Sequence, residues 1–281
     1  MQINLPPPYP WIRGAQAGNP AVRTRSDELG DTHRLLTDSS YSRLNFEFHE
    51  TPSASRHSYQ GKPVVIDGWH IDPLHTPWLG PELSLAKALE LHVPPLGAGQ
   101  VFVVSEKVAV MLTGRSLPID DYQPGRLANL LIKYVKPRPG SRGISVPQKM
   151  EYIVRHAGIP RVLAAAVAAA VTRAFGLRGA FYKIAGPVAR DLDGGRPPFE
   201  HLLFPPLNRP DAEAVCEEIA ALLAAPAVIA DLNDYGGTIR ARSANAPSIA
   251  TLLRIMRTNP LGQKDNRTPF AILTPPAEGL R

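Results

Sequence analysis

The stretch ADLNDYGG places acidic, amide and glycine residues directly after an apolar run. Asp231 and Asp234 supply the hard oxygen ligands that Mg²⁺ and Mn²⁺ prefer, and Asn233 adds an amide oxygen. Gly236 and the glycine after it leave backbone N–H groups accessible to phosphate oxygens. The same residues also fit an ordinary Asn-Asp-Gly turn. The stretch alone therefore indicates either a metal and phosphate site or a turn.

A second stretch, VSEKVAVMLTGRS, carries two cations. Its apolar and β-branched residues predict one or two strands. Strand alternation would place Lys107 on one face together with Ala109, Met111 and Thr113. Gly114 then permits a turn before Arg115. A lysine and an arginine on rigid backbone suit a triphosphate or a phosphorylated substrate, although the spacing alone favours a strand with an exposed lysine and a Gly-Arg turn.

Two further loops are rich in polar groups. In GAFYKIAGPVARDLDGG, Gly186 permits close backbone approach, and Asp191 and Asp193 could bind a metal or simply lie in a solvated turn. In NPLGQKDNRTPFAI, several polar residues precede an apolar strand and could face a site or belong to a connecting loop. They are Gln263, Asp265, Asn266 and Arg267.

Several well-known sites are excluded by their missing sequence patterns. The chain lacks G-x-x-x-x-G-K-[ST], G-x-G-x-x-G and G-x-S-x-G, the signatures of P-loop, Rossmann and serine-hydrolase sites. The histidines are scattered without zinc-ligand spacing. His70, Asp72 and His75 stand close together, but in a turn-rich stretch where a metal site is not favoured.

Composition favours a cytoplasmic globular protein that binds small anions. The 281 residues are 44% hydrophobic and 20% charged, with a formal net charge of +6. The basic residues form no run and do not interleave with aromatic residues, so we expect no nucleic-acid partner. No apolar segment is long enough to cross a membrane. The lone Cys216 lies on the apolar face of a predicted helix and indicates packing rather than reactivity.

The order of elements predicts an α+β, or irregular mixed α/β, fold. Residues 1–60 are polar and proline-rich and predict an irregular N-terminal arm with one short strand in RLNFEF, while residues 61–281 form the main domain. Strands are predicted in KPVVIDGWHI, GQVFVVSEKVAVML, GAFYKIAG, AVIADLND, TIRARS and TPFAILTP. Helices are predicted in SLAKALELHV, PGRLANLLIKYV, PQKMEYIVRHAG, PRVLAAAVAAAVTRAFG, DAEAVCEEIAALLAA and PSIATLLRIMRT.

In their order along the chain, these stretches resemble the coenzyme F-420-0:γ-glutamyl ligase family. The similarity begins near HTPWLGPELSL and continues through GQVFVVSEKVAVMLTGR, GAFYKIAG and VIADLNDYGG to NPLGQKDNRTPFAIL. It covers roughly residues 63–275. The resemblance implies a mixed α/β ligase fold, distinct from ATP-grasp and P-loop folds, and a homodimer.

The resemblance also implies an activity and a set of site residues. GTP or ATP and Mg²⁺ or Mn²⁺ would activate a small-molecule carboxylate as an acyl phosphate, which an amine such as an amino acid then attacks. The implied catalytic cations are Lys107 and Arg115. The implied metal ligands are Asp231, Asp234 and Gln263. The implied nucleotide contacts are Gly114, Gly186, Asn233, Gly236 and Gly262.

The chain also departs from the family pattern in the loops that contact substrate. DLNDYGGTIR stands where the ligases have DTFGRPWR, and AGPVARD stands where they have AGVDxSN. These differences favour a substrate pair other than glutamate and the F-420 precursor. They also motivate a second hypothesis, a catalytically silent homologue that binds a nucleotide or metabolite in a biosynthetic complex.

Overall fold

The computed structural model describes residues 46–47, 61–135, 143–233, 236–262 and 266–277, with backbone alone at 46, 47 and 233. All of them belong to one compact unit, Ser39–Arg281. The strands are β1 (Phe46–Glu47), β2 (Val64–Ile66), β3 (Trp69–Leu74), β4 (Val101–Ser105), β5 (Leu117–Pro118), β6 (Asp193–Gly194), β7 (Leu202–Phe204), β8 (Ala227–Asn233), β9 (Gly236–Arg242) and β10 (Phe270–Thr274).

The helices are α1 (Leu85–His92), α2 (Glu106–Leu112), α3 (Arg126–Ile132), α4 (Pro147–Ala157), α5 (Ile159–Ala174), α6 (Ala180–Ala185), α7 (Pro187–Arg190), α8 (Arg209–Leu223) and α9 (Ile249–Ile255). Single 3₁₀ turns occur at Ile119–Asp121 and Gly143–Ser145. This mixture confirms the α+β class. The predicted arm, residues 1–60, lies outside the described residues except for β1, which falls within RLNFEF.

The main sheet has seven strands in the order β1-β9-β8-β4-β10-β3-β2. All neighbours are antiparallel except β4 and β8, which run parallel with Phe102 opposite Ala227 and Ser105 opposite Ala230. The carboxyl ends of β4 and β8 therefore meet at one edge of the sheet. Residues that follow β4 come close to residues at the end of β8, although the two strands are far apart in the sequence.

Apolar side chains on both faces of the central strands explain why helices cover the sheet on both sides. On one face, Phe102, Ile229 and Phe270 pack with apolar residues of α1, α2 and α8. On the other face, Val103 and Val228 pack with residues of α9. A strand that is buried on both faces needs a continuous apolar sequence, as in VFVV of β4.

Two predicted strands are helices in the structure. After Ser105, the chain forms α2 instead of continuing as a strand, so the predicted alternation of side chains from Lys107 is wrong. The apolar residues of α2 are buried around most of the helix, and such a short apolar run does not reveal its period. GAFYKIAG forms α6, because its aromatic and β-branched side chains pack against a helical core that overrides their strand propensity.

The predicted structural role of Cys216 is confirmed. Its side chain is buried in α8, and its thiol donates a hydrogen bond to the carbonyl of Ala227 at 3.1 Å. Burial raises the pKa of the Cys216 thiol to about 12. The nucleophilic thiolate is therefore scarce at neutral pH.

Helices α3–α7 form a separate apolar cluster beside the three-stranded sheet β5-β7-β6. Within it, α4 and α5 meet at a sharp bend of 118°. The outer side of α5 exposes an apolar stripe formed by Leu163, Val167 and Val171. Among the described residues, no single helix is both long enough and apolar enough to cross a membrane. The bent pair α4 and α5 meets both conditions only when the two helices are taken together.

We predict that Gly158→Ala lowers the free energy of unfolding by about 1–3 kcal/mol. Gly158 joins α4 to α5 with φ 83° and ψ 145°, a conformation that only glycine adopts readily. A Cβ atom there would meet no neighbour within 4 Å, so the expected cost is purely one of backbone conformation. Chemical denaturation measures it.

Gly97→Ala is the matched control, because its added Cβ makes only ordinary contacts, the nearest at 3.5 Å from Gln100. Its expected change is within about 0.5 kcal/mol. Equal stability of the two variants would contradict the prediction.

Candidate functional site

The candidate site is built around Arg240, an arginine whose side chain is only 2% exposed. Its Nε lies 2.8 Å from Oε1 of Glu106. Its Nη1 lies 3.5 Å from Oδ2 of Asp191, and its Nη2 lies 4.0 Å from Oδ2 of Asp231. One guanidinium on β9 thus faces carboxylates from α2, from the segment after α7 and from β8.

The sheet topology explains how these groups meet. Glu106 is the first residue of α2 and follows β4 directly, while Asp231 lies on β8, the parallel neighbour of β4. Arg240 lies on β9, which pairs antiparallel with β8. Glu106 Oε1 also accepts a hydrogen bond from the backbone N–H of Leu207 at 2.8 Å, which fixes the carboxylate.

Burial shifts the protonation of this cluster. Burial raises the pKa of Glu106 to about 7, although Arg240 and the Leu207 amide act in the opposite direction. Burial and the nearby carboxylates of Asp193 and Asp191 raise the pKa of Asp231 to about 6. The surrounding carboxylates raise the pKa of Arg240, which therefore stays charged. Negative charge is stabilised less well at Asp231 than at an isolated surface carboxylate.

A second ion pair lies beside the first at the rim of the cluster. Lys107 Nζ is 2.7 Å from Oδ2 of Asp193, and both side chains remain partly exposed. The ammonium also lies 5.7 Å from the centre of the Phe204 ring. Lys107 is the main cause of a lowered pKa at Asp193, despite the opposing effect of burial. We call these residues together with the Arg240 group the charged crevice, formed by Glu106, Lys107, Lys149, Asp191, Asp193, Asp231 and Arg240.

Three members of the charged crevice were missed by sequence reasoning: Glu106, Lys149 and Arg240. Lys149 lies in the first turn of α4 and is 7% exposed. Burial lowers the pKa of Lys149. The Asp193 carboxylate opposes this shift, and Lys107 adds a smaller effect in the same direction as burial. The position of Lys149 four residues before the buried Ile153 was the available signal, since this spacing puts a lysine on the apolar face of a helix.

The structure brings some of the predicted residues together and separates others. Lys107, Asp191, Asp193 and Asp231 lie in the charged crevice. Arg115 instead faces Asp211, with Nη2 to Oδ1 at 3.8 Å, and both side chains are exposed. Asp234 and Gln263 lie outside the described residues.

The predicted nucleotide-binding residues occupy several different environments. Gly114 has φ 68°, and a Cβ atom added to it would meet no neighbour within 4 Å. Gly186 separates α6 from α7 and lies beside the guanidinium of Arg161. The backbones of Asn233 and Gly236 pair with each other across β8 and β9. Gly262 lies against the side chain of Asn266. Their nucleotide contacts stay predictions.

The charged crevice offers carboxylate oxygens that suit a metal ion, but the described residues supply only part of a metal-ligand set. Asp231 is partly exposed, and its nearest cation is 4.0 Å away, so its oxygens remain accessible to a hard cation. Within the described ranges, no three His, Cys, Asp or Glu side chains are grouped to hold a metal ion, and this includes His70, Asp72 and His75. Two of the three predicted ligands lie outside those ranges.

The chain matches no protein-family model and no curated protein. The chemistry of the crevice therefore rests on its own geometry. It combines a buried Glu106–Arg240 pair at its base with partly exposed carboxylates and a lysine at its rim. Such a site can bind a cation and the phosphate oxygens of a ligand side by side.

We predict that Arg240→Met lowers the free energy of unfolding by about 3–5 kcal/mol, because it leaves buried Glu106 without its counter-ion. The double variant Glu106→Met/Arg240→Met should recover much of this loss, since no buried charge then remains at the base. Urea denaturation of both single variants and the double variant measures the coupling. Additive effects would show that the pair does not act as a unit.

We also predict a pH dependence that arises from Glu106. Its folded-state pKa is raised to about 7, above the ordinary value of 4.5, so its contribution to stability is complete below pH 4.5 and is lost as pH rises through 7. Unfolding free energy measured between pH 4.5 and 8.5 should therefore fall more in the wild type than in Glu106→Gln, which cannot titrate.

Glu90→Gln is the control, because Glu90 is exposed and pairs with Lys87 on the surface. It should follow the wild-type profile. Parallel profiles of the wild type and Glu106→Gln would contradict the prediction.

Proposed function

We propose that the protein is an NTP- and divalent-metal-dependent amide ligase that activates a carboxylate as an acyl phosphate and joins it to an amine. One observation supports this best. Two of the stretches that resemble the γ-glutamyl ligases contribute charged side chains to a single crevice. Lys107 and Asp231 come from these separate stretches and lie together in the fold, beside Asp193.

The proposed reaction has two steps, and the first of them requires positive charge near the transferred phosphoryl group. A carboxylate oxygen attacks the γ-phosphorus, and the bond from that phosphorus to the bridging oxygen breaks as the nucleoside diphosphate leaves. The amine nitrogen then attacks the acyl carbon, phosphate leaves and the amine gives up a proton. Negative charge develops on the phosphoryl oxygens in the first step, so cations near that group accelerate it.

In this proposal each rim residue has a defined task. Asp231 would hold Mg²⁺ or Mn²⁺, with Asp234 and Gln263 as the other predicted ligands. A bound metal neutralises charge on the phosphates of GTP or ATP. Lys107 would contact the transferred phosphoryl group, and Asp193 holds its ammonium in position. Glu106 holds Arg240 at 2.8 Å, and the guanidinium places a positive charge 4.0 Å from the Asp231 carboxylate.

The second hypothesis is a silent homologue that binds a nucleotide or metabolite without turnover. Lys107 is already engaged by Asp193, which favours this alternative. In either case we infer a cytoplasmic protein. The family resemblance favours a homodimer, and the composition favours neither a nucleic-acid nor a membrane partner.

Phosphate release tests the proposal. ATP or GTP with Mg²⁺ or Mn²⁺ should give phosphate only when a suitable carboxylate and amine are both present. Asp231→Asn should lower the rate by two orders of magnitude or more, as expected for loss of a metal ligand, and Lys107→Met by roughly 10²–10³-fold. A panel of small acids and amino acids identifies the substrates.

Asp67→Asn is the control, because Asp67 is a surface residue paired with Arg254 and tolerates asparagine at its positive φ. It should leave the rate unchanged. Nucleotide cleavage without an amine would favour a hydrolase instead. Nucleotide binding without turnover, unaffected by Asp231→Asn, would favour the silent homologue.

A further inference from the structure

We propose that the outer face of α5 docks on an anionic lipid bilayer, with its apolar side chains in the interface and neighbouring arginines at the lipid headgroups. This surface uses other residues than the charged crevice and does not depend on the proposed ligase activity. The composition of the whole chain favours no membrane partner, but composition does not show which side chains share a surface. The exposed residues of α5 and the charges around them support the docking.

The outer face of α5 is apolar along its whole length. Every exposed residue of this helix other than Arg173 is Ala, Val, Leu, Ile or Pro. Leu163, Val167 and Val171 repeat every four residues and therefore form a stripe along one side. Val167 is 64% exposed, whereas Val162 of the same helix is fully buried. Single exposed apolar residues are ordinary, but a continuous apolar patch indicates an interaction surface.

Apolar exposure continues into the loop that follows α5. Phe175 and Leu177 lie on either side of Gly176, and they are 78% and 63% exposed. Tyr134, which follows α3, is also exposed, and its carbonyl accepts a hydrogen bond from Arg173 Nη1 at 3.1 Å. Large aromatic and aliphatic side chains at the end of an apolar helix face suit insertion at the boundary between headgroups and acyl chains.

The charges around the stripe are positive. Helices α4, α5 and α6 contain a single acidic residue, Glu151, and it pairs with Arg155 at 2.8 Å. At about 100° per residue, Arg161 and Arg173 fall on opposite sides of the stripe. Arg178 is exposed in the loop after α5. An apolar face with arginines on both sides and no acid is complementary to an anionic lipid surface.

The same features disfavour a protein as the occupant of this face. Two copies of α5 packed across a two-fold axis would bring arginines of both chains together, and α5 has no carboxylate to pair with them. A partner helix needs an apolar groove, whereas the stripe runs along the convex outer side of a single helix. A bilayer accepts a convex apolar face directly.

Sedimentation of the full chain with lipid vesicles tests the docking. Vesicles that contain phosphatidylserine should bind the protein at least about tenfold more tightly than vesicles of phosphatidylcholine alone, because each arginine near an anionic surface adds to the attraction. Added salt should weaken this binding. Absence of binding to the phosphatidylserine vesicles would overturn the proposal.

The double variant Val167→Gln/Val171→Gln tests the apolar stripe. Glutamine preserves helix propensity, and both valines are exposed, so the unfolding temperature should stay close to that of the wild type. Binding to phosphatidylserine vesicles should weaken about tenfold or more, because two apolar side chains no longer enter the interface. Phe175→Ser repeats the test outside the helix.

Leu91→Gln is the control for the apolar variants, because Leu91 is 56% exposed on α1, away from the stripe in the sequence. It should bind vesicles as the wild type does. Equal affinities of Leu91→Gln and Val167→Gln/Val171→Gln would contradict a role of the stripe.

The double variant Arg173→Gln/Arg178→Gln tests the charges beside the stripe and should weaken vesicle binding about tenfold or more. Arg254→Gln/Arg257→Gln has the same net charge and is the matched control, since both arginines are exposed and lie near Asp67. It should bind much as the wild type does. An equal loss in the two double variants would show an effect of net charge alone and overturn the assignment to α5.

Two further measurements identify a different occupant. A dimer that Val167→Gln/Val171→Gln dissociates in analytical ultracentrifugation would show that a second copy covers the stripe. Binding to polyglutamate that is as tight as binding to the vesicles, and that the same variant abolishes, would assign the face to an acidic protein. Either result would overturn the docking on lipid.

Discussion

The need to neutralise one buried guanidinium organises this molecule. Arg240 is almost completely enclosed, and a charge in that position is tolerated only where carboxylates face it closely. Glu106, Asp191 and Asp231 meet this need from three different parts of the chain. The ends of β4 and β8 and the segment that leads into β6 are therefore held around one point.

The rest of the crevice depends on that arrangement. The buried Glu106–Arg240 pair forms a rigid base, and the partly exposed residues above it are free to exchange partners with a ligand. Lys107 has an exchangeable partner in Asp193, whose carboxylate also attracts the Lys149 ammonium. A buried ion pair thus lies beneath a rim of partly exposed charged side chains.

Much of the fold could be predicted from periodicity and from breaker residues. Pro147 and Gly158 bracket α4 as expected, and the β-branched run of β4 forms a buried strand. The sequence did not reveal the change from strand to helix at Glu106, since an apolar run buried on most sides has no distinguishing period. Within the site, Lys107 and Asp231 were identifiable by residue type. Arg240 was not, because only the tertiary contacts show that it is buried.

The parallel pairing of β4 with β8 has a consequence for the order in which the protein can mature during synthesis. Glu106 is made early, whereas Arg240 emerges much later, after the whole helical region between them. Until β9 has joined the sheet, Glu106 has no guanidinium beside it, and its carboxylate stays hydrated. Even then the sheet is incomplete, because β10, which lies between β4 and β3, is made after β9.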